Sequence, residues 1–229
     1  MRISYQQVND QIQELLTYCT ELRLDKTKDT NIISLSGLIK VARQYNGYVI
    51  NNNYSLKILI PLSNNELPSV IDIGMHIDNS YPHRYHDGKL CLETDAYMGY
   101  CFSSGYTLLK WMQNIVEPYY YTYEYHKRFG EYPFGERAHN IDGVLQTYQQ
   151  IFEETDMKKV YLLLRAISTQ QYKGHLRCPC ESGLITRNCH GQVLLKFYCD
   201  SQLSSIARND YANIESWLYK IDKRRNNHK

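Results

Sequence analysis

The sequence has no apolar run approaching the ~18 to 20 residues of a helical membrane span, so a helical anchor within it is excluded. Its opening stretch, MRISYQQVNDQIQELL, lacks the apolar core of a signal peptide, so export is not expected and a cytoplasmic protein is. Charge of one sign is also missing: 26 basic side chains face 24 acidic ones, for a net +2. With that balance neither nucleic acid nor an anionic membrane is the expected main partner. There is no G-x-G-x-x-G stretch and no P-loop, hence no nucleotide-binding segment to activate a substrate. Cysteine is present but odd in number, at seven. In a cytosolic chain that count reads as thiols or metal ligands and not as a disulfide framework.

What is there is enough to fold. A chain of 229 residues makes one ordinary domain with an appendage, or two small ones, and 43% apolar residues rule out disorder. The 22 tyrosines are unusual, and their concentration between Tyr97 and Tyr132 suggests a surface or groove lined with amphipathic rings.

The most informative stretch is Tyr81–Leu92, YPHRYHDGKLCL. It holds a histidine just after a proline, an Asp87-Gly88 turn, and Cys91 between two leucines. A thiol at the rim of a core beyond two rigid turns suits a covalent acyl carrier. The thiolate attacks a carbonyl and a nearby donor holds the oxyanion. These twelve residues resemble, without a gap, the active-site segment of ubiquitin-conjugating enzymes, HPN-[IV]-Y-x-x-G-x-[IV]-C-L. Pro82, Tyr85, Gly88, Cys91 and Leu92 coincide, and Leu90 replaces a similar apolar residue. Tyr81 stands in place of the family's His, and His83 in place of the Asn that supports the oxyanion. A histidine there can do the same work or add general-base character.

Element order extends the resemblance. Val8, Ile12, Leu15, Leu16, Cys19 and Leu22 recur at helical spacing, which predicts a helix over residues 6–23, with Cys19 a core residue on its apolar stripe. Ile32–Leu35, Leu38–Val41, Tyr48–Ile50 and Ser55–Ile60 are candidate strands, broken by Asn46-Gly47, by Asn51–Asn53 and by Pro61. They make an antiparallel meander followed by the active-site segment, as in ubiquitin-conjugating folds. After Cys91 the chain reads ETDAYMGYCFSSGY; Cys101 falls in a polar, aromatic loop, and Ser103-Ser104-Gly105 is a loop and a candidate cap. Leu108, Leu109, Met112, Ile115, Val116 and Tyr119 then mark a helix that Pro118 ends or kinks. A further helix follows over residues 141–152, a hinge at 153–159 and a short helix at 160–167. Composition shifts at Ser168-Thr169-Gln170-Gln171, where a domain boundary is placed: residues 1–167, then 168–229.

Several residues compete for the chemistry. Cys101, ten residues past Cys91, is the alternative nucleophile if its loop folds back beside the first thiol. An ordinary half-buried cysteine is its default, and a leucine-flanked Cys91 has the same default. His83 and His86 lie three apart, but Cys91 is the only other local donor, so a metal is the weaker reading. Asp87 most simply makes the Asp-Gly turn. The block Pro133–His139, PFGERAH, resembles an element of bacterial relatives of conjugating enzymes. Its Glu136, Arg137 and His139 line the acyl-donor groove or order the loop over Cys91, unless Glu136 and Arg137 simply form an ion pair at a helix start.

The second motif is CPCESGLITRNCHG. Cys178 and Cys180, then eight residues, then Cys189 and His190 supply three thiolates and one imidazole, a set suited to tetrahedral zinc. The spacing resembles the SEC-C zinc knuckle, CPCGSGxxxxxC[CH]G, with Glu181 in place of the common Gly. Four ligands close the coordination sphere, so the zinc is expected to be structural, holding a segment too short for its own core. Lys173, His175, Arg177, Arg187 and Lys223-Arg224-Arg225 make the region basic, by default a solvated surface. Cys199 is read as core.

The expectation is therefore an α+β, ubiquitin-conjugating-like fold (N-terminal helix, antiparallel meander, C-terminal helices) with a zinc knuckle. The resemblance implies a bacterial acyl carrier of anti-phage signalling operons. Cys91 would take a partner protein's C-terminus as a thioester, either from an acyl group activated by a separate protein or by direct attack on an existing peptide bond; His83 or a backbone N–H would hold the oxyanion, and a lysine would receive the acyl group. The implied cargo is a nucleotidyltransferase resembling the cyclic GMP–AMP synthases. Two other classes stand beside this one: an inactive adaptor binding partner tails through a tyrosine-rich groove, and a papain-like thiol hydrolase, which no spacing specifically supports.

Overall fold

The computed structural model describes residues 5–26, 31–62, 66–138 and 140–227. His139 and the side chain of Arg225 lie outside the described residues. The structure is α+β, with an antiparallel four-stranded sheet and several helices. Two compact units form it. A sheet unit comprises Arg2–Glu93 and Gly105–Glu136, and a helical unit Thr94–Ser104 and Arg137–Lys229. The boundary expected at residue 167 thus falls inside the helical unit.

The sheet unit begins with α1 (Tyr5–Tyr18), which buries Ile12 and Leu15. It is shorter than its apolar spacing predicts, because Leu22 belongs to β1 (Leu22–Leu24) and pairs with Gly37. Gly37 has φ +150°, and a Cβ there would lie 2.2 Å from the Glu21 carbonyl oxygen. Only glycine lets the chain pass that close. The four short strands expected between residues 32 and 60 are two long ones, β2 (Ile32–Tyr45) and β3 (Tyr48–Pro61). Asn46 (φ 47°) and Gly47 (φ 78°) form their two-residue turn, the Asn-Gly hairpin signature. Asn51–Asn53 do not break the strand. They pair with Ala42, Val41 and Lys40, where cross-strand pairing outweighs low intrinsic preference. β4 (Ser69–Asp72) completes the order β1-β2-β3-β4.

One face of this sheet carries Leu35, Ile39, Val41, Tyr54, Leu56, Ile58 and Val70, all buried. The opposing layer is α3 (Leu108–Trp111), a π turn (Met112–Val116) and α4 (Glu117–Phe129). Pro118 neither ends nor breaks this run. It sits in the first turn of α4 directly after the π turn, whose wider winding absorbs the missing N–H and the ring's clash with the preceding turn. Tyr119, Tyr120, Tyr121 and Tyr123 are buried, so much of the expected tyrosine surface is core. Tyr120 stacks on Tyr54 at 4.2 Å between ring centroids. The Tyr121 hydroxyl donates to the carbonyls of Tyr45 and Tyr48 and so ties α4 to the hairpin turn.

The helical unit holds α2 (Asp95–Ser103), α5 (Asn140–Phe152), α6 (Met157–Thr169), α7 (Gly191–Cys199) and α8 (Ser201–Asn227). The loop expected after Cys91 is largely α2, capped by Thr94, whose hydroxyl accepts from the Tyr97 N–H. It shows no amphipathic period because its apolar residues run all round it. Gly99 lies where a Cβ would come within 3.3 Å of Leu203 and Ile206. The core is Tyr148, Phe152, Leu163, Leu164, Ile167, Leu194, Phe197 and Leu203, with Cys178 and Cys180 built into it. Cys199, expected as core, is exposed: it ends α7 off the Leu194–Phe197 stripe. Within α8, burial lifts the Asp210 carboxyl to about 6, against a hydrogen bond from the Tyr148 hydroxyl. Its folded-state value lies above the unfolded one. The protonated group therefore favours folding below about pH 4, and that contribution is lost as pH rises through about 6.

A buried carboxylate ties three elements of the sheet unit. Glu117, 5% exposed, accepts from the Arg43 guanidinium at 2.8 and 3.0 Å and from the Tyr18 hydroxyl at 2.8 Å. Removing one partner of a buried pair strands the other charge, whereas removing both does not. Arg43→Met is expected to cost about 3 kcal/mol in urea unfolding, and the double variant R43M/E117M less than that single one.

Candidate functional site

The Tyr81–Leu92 segment folds as a tight hairpin on the edge of β4. Gly88 takes φ +84° and its N–H donates to the Tyr85 carbonyl, while the Asp87 carboxylate accepts from the Lys89 N–H, so Asp87 makes the turn. The Leu90 N–H donates to Val70 and the Asp72 N–H to Gly88, which lays the hairpin against the sheet. The Cys91 N–H then donates to the His83 carbonyl at 2.8 Å. Nucleophile candidate and histidine, eight positions apart in sequence, become backbone neighbours.

Helix α4 fixes this arrangement from behind. The Tyr119 hydroxyl donates to the same His83 carbonyl at 2.8 Å. One turn on, the Tyr123 hydroxyl donates to the Asp78 carboxylate at 2.7 Å, just before the segment begins. Burial, with the nearby charges of Tyr81 and Cys91 among the lesser causes, pushes the Tyr119 hydroxyl far above its ordinary range. It therefore stays a donor. The His83 ring lies edge-on to Tyr81 and Tyr132, at 5.5 and 5.8 Å between centroids, and its Nε2 is 3.4 Å from Oε1 of Glu136.

These contacts sort the candidates. Cys91 is half-buried, as a thiol at a rim must be. Its own N–H is committed to the His83 carbonyl, so of the two oxyanion donors expected from the sequence, that amide already has a partner. Cys101 is 5% exposed on α2, inside the helical unit. Cys19 is buried, and burial, then the Glu117 charge, pushes its thiol up to about 12. His86 is exposed. Glu136 meets His83, whereas Arg137 donates to Gln150 and lies over the Tyr97 ring. Tyr119 was not legible as a site residue, because in sequence it reads only as one more tyrosine of a helix stripe.

The second site lies in the helical unit. Among the described residues, the group that could hold a metal ion is Cys178, Cys180, Cys189 and His190, whose ligand atoms all fall within 4.8 Å of one another. Cys180 Sγ is 3.5 Å from Cys189 Sγ, and His190 Nδ1 lies 3.4 and 3.2 Å from the sulfurs of Cys178 and Cys189. Ligand edges of about 3.5 to 3.8 Å follow from tetrahedral bonds of the usual zinc–sulfur and zinc–nitrogen lengths. The turn after Cys180 puts Glu181 at φ +62°, a left-handed conformation in which the resembling motif has Gly. The misfit costs about 1 kcal/mol, and the exposed ion pair of Glu181 with Lys158 at 2.8 Å offsets part of it. Thr186–Asn188 make a 3₁₀ turn leading to Cys189, and Gly191, where a Cβ would lie 2.7 Å from the Thr186 carbonyl oxygen, lets His190 start α7.

No family model, curated protein or solved structure matches the chain. Chemistry alone therefore speaks for both sites. Burial lifts the Cys178 thiol to about 12; a bound cation removes such a proton outright. Cys180 is shifted the other way: burial opposes the thiolate, but hydrogen bonds from Ser182 and Cys178 more than compensate. Burial also lowers the His190 imidazole and keeps it in the neutral, ligating form. No helix of the described residues is long and apolar enough to cross a membrane.

Elemental analysis of the purified chain should give one tightly held metal ion per chain, reduced by more than half in Cys180→Ser. Because Cys178 and Cys180 belong to the helical core, a strong chelator should lower the thermal midpoint by several degrees.

Proposed function

We propose that this chain is a ubiquitin-conjugating-like acyl carrier, with Cys91 as nucleophile and a structural zinc in the Cys178, Cys180, Cys189, His190 knuckle. The observation that carries the reading is the backbone bond from Cys91 to His83, in a segment laid on the edge of an antiparallel meander and backed by α4. That element order is the one the resemblance implies. The carried group is the C-terminus of a partner protein. The resemblance points to a nucleotidyltransferase of a bacterial anti-phage operon, acting in the cytoplasm.

The transfer divides into two steps. The Cys91 thiolate attacks the activated C-terminal carbonyl, an acyl adenylate or thioester supplied by a separate activating protein, and expels its leaving group. The His83 imidazole stabilises the tetrahedral oxyanion. A lysine amine then attacks the thioester. The C–N bond forms, the C–S bond breaks with its electron pair on Sγ of Cys91, and the isopeptide departs. Zinc takes no part; it holds the knuckle within the helical core.

A non-catalytic adaptor is the second reading. The tyrosines buried in α4 are not available to it, but Tyr45, Phe129 and Phe134 are exposed, with Phe134 tilted against Tyr45 and Phe129 edge to face with Tyr48. Incubation of the full chain with the nucleotidyltransferase, its activating enzyme and ATP separates the two. The carrier reading expects a reductant-sensitive adduct that Cys91→Ser abolishes and Cys101→Ser retains. Stable binding with no adduct in the unaltered chain contradicts it and favours the adaptor.

A further inference from the structure

Glu136 is the acid that the sequence left between two roles, and its place in the sheet unit gives it a definite one. It follows the α4 C-cap at Gly130 (φ 74°) and the turn in which the Gly135 N–H donates to Tyr132. That short loop brings the carboxylate to the His83 ring, Oε1 to Nε2 at 3.4 Å. Tyr132, from the same loop, stacks on His126 at 4.5 Å and presents its ring to the His83 edge; Tyr81 supports the imidazole from the segment itself. Among the described residues, Glu136, Tyr81 and Tyr132 meet the His83 ring, Tyr119 and Cys91 meet its carbonyl, and His126 lies one ring further out. The three tyrosine hydroxyls are all raised, first by burial, and stay neutral at working pH. Glu136 is the acidic side chain placed against the ring.

We infer that Glu136 is a positioning residue: it orients the His83 imidazole and raises its affinity for a proton, so that His83 takes the surplus proton from the lysine amine as that amine attacks the Cys91 thioester. The role rests on the acyl-transfer reading above. It also accounts for a histidine where the resembling family has an amide: an amide can hold an oxyanion but cannot accept the amine's proton. The balance closes without a further reactant. The amine nitrogen's lone pair makes the C–N bond, the C–S electron pair remains on Cys91, and the proton rests on His83 until water removes it. A carboxylate on one side of an imidazole is the usual device for fixing its tautomer and supporting its charged form.

Two measurements on the full chain test this. The first is the His83 imidazole titration by NMR, assigned by its loss in His83→Asn. The second is single-turnover transfer from preformed Cys91 thioester to free lysine between about pH 5 and 9, the range in which an imidazole base shows its acidic limb. Glu136→Gln should move the titration to lower pH by about half a unit or more, since a nearby carboxylate favours the protonated ring. It should carry the acidic limb of transfer with it and slow transfer about tenfold at the wild-type optimum. Glu136→Asp should restore most of both. A titration that Glu136→Gln leaves in place overturns the positioning role, as does a titration that moves while the limb does not. Absence of any thioester on Cys91 in the unaltered chain is a different failure. It removes the acyl-transfer reading itself, whatever the titration shows.

Discussion

One carbonyl oxygen organises the candidate active site. The His83 carbonyl accepts both the Cys91 N–H and the Tyr119 hydroxyl, each at 2.8 Å. The first bond closes the hairpin that returns the chain from the histidine to the cysteine; the second fastens that hairpin to α4. A hydrogen bond contributes only about 1 kcal/mol net, so the pair matters less as stability than as a restriction on where the thiol can be. The buried Tyr119 ring cannot leave its acceptor without stranding a polar group in the core. The Asp78–Tyr123 bond repeats the device at the start of the segment. One helix face thus holds the candidate stretch just before it begins and at its histidine, and the Cys91 N–H ties the thiol's end to the same carbonyl, which suits chemistry that needs a fixed thiol.

The helical unit solves a different problem. A four-ligand knuckle normally substitutes for a missing core, but here two of the sulfurs already belong to one, among Leu163, Leu164, Leu194 and Phe197. The task proposed for an ion held there is then local: to fix the turn at Glu181 and the start of α7 at His190. It would also relieve the Cys178 thiol of a proton that its burial otherwise keeps on it.

How much of this was legible in the residues depended on how local the signal was. The Asn46-Gly47 turn, the Asp87-Gly88 turn and the four ligand positions carry their geometry in two to four residues, and the structure places each accordingly. Asn51–Asn53 misled because strand pairing is non-local: three residues with poor intrinsic preference are held by partners on β2. The α2 helix was missed because it is apolar on all sides, which erases the period that reveals a helix. Glu153–Lys159, read as a hinge, contains the start of α6, capped by Asp156. The tyrosines were assigned to a surface on composition alone. The hydroxyls of Tyr119, Tyr121 and Tyr123 instead find acceptors inside the unit, and only the Tyr120 phenol of the four is buried without a hydrogen bond. The Pro133–His139 block pointed Glu136 toward the Cys91 loop, but its partner there, His83, was not legible, since the contact joins two loops some fifty residues apart.

The central claim is that the sulfur of Cys91 is held at an accessible rim while the other thiols of the sheet and helix cores are not. Brief iodoacetamide labelling of the native, metal-replete chain, read peptide by peptide, tests it directly. The account expects Cys91 and the exposed Cys199 to be modified first, with Cys19 and Cys101 protected until the chain unfolds. Labelling at Cys101 ahead of Cys91, or a Cys91 that stays silent under native conditions, would contradict it.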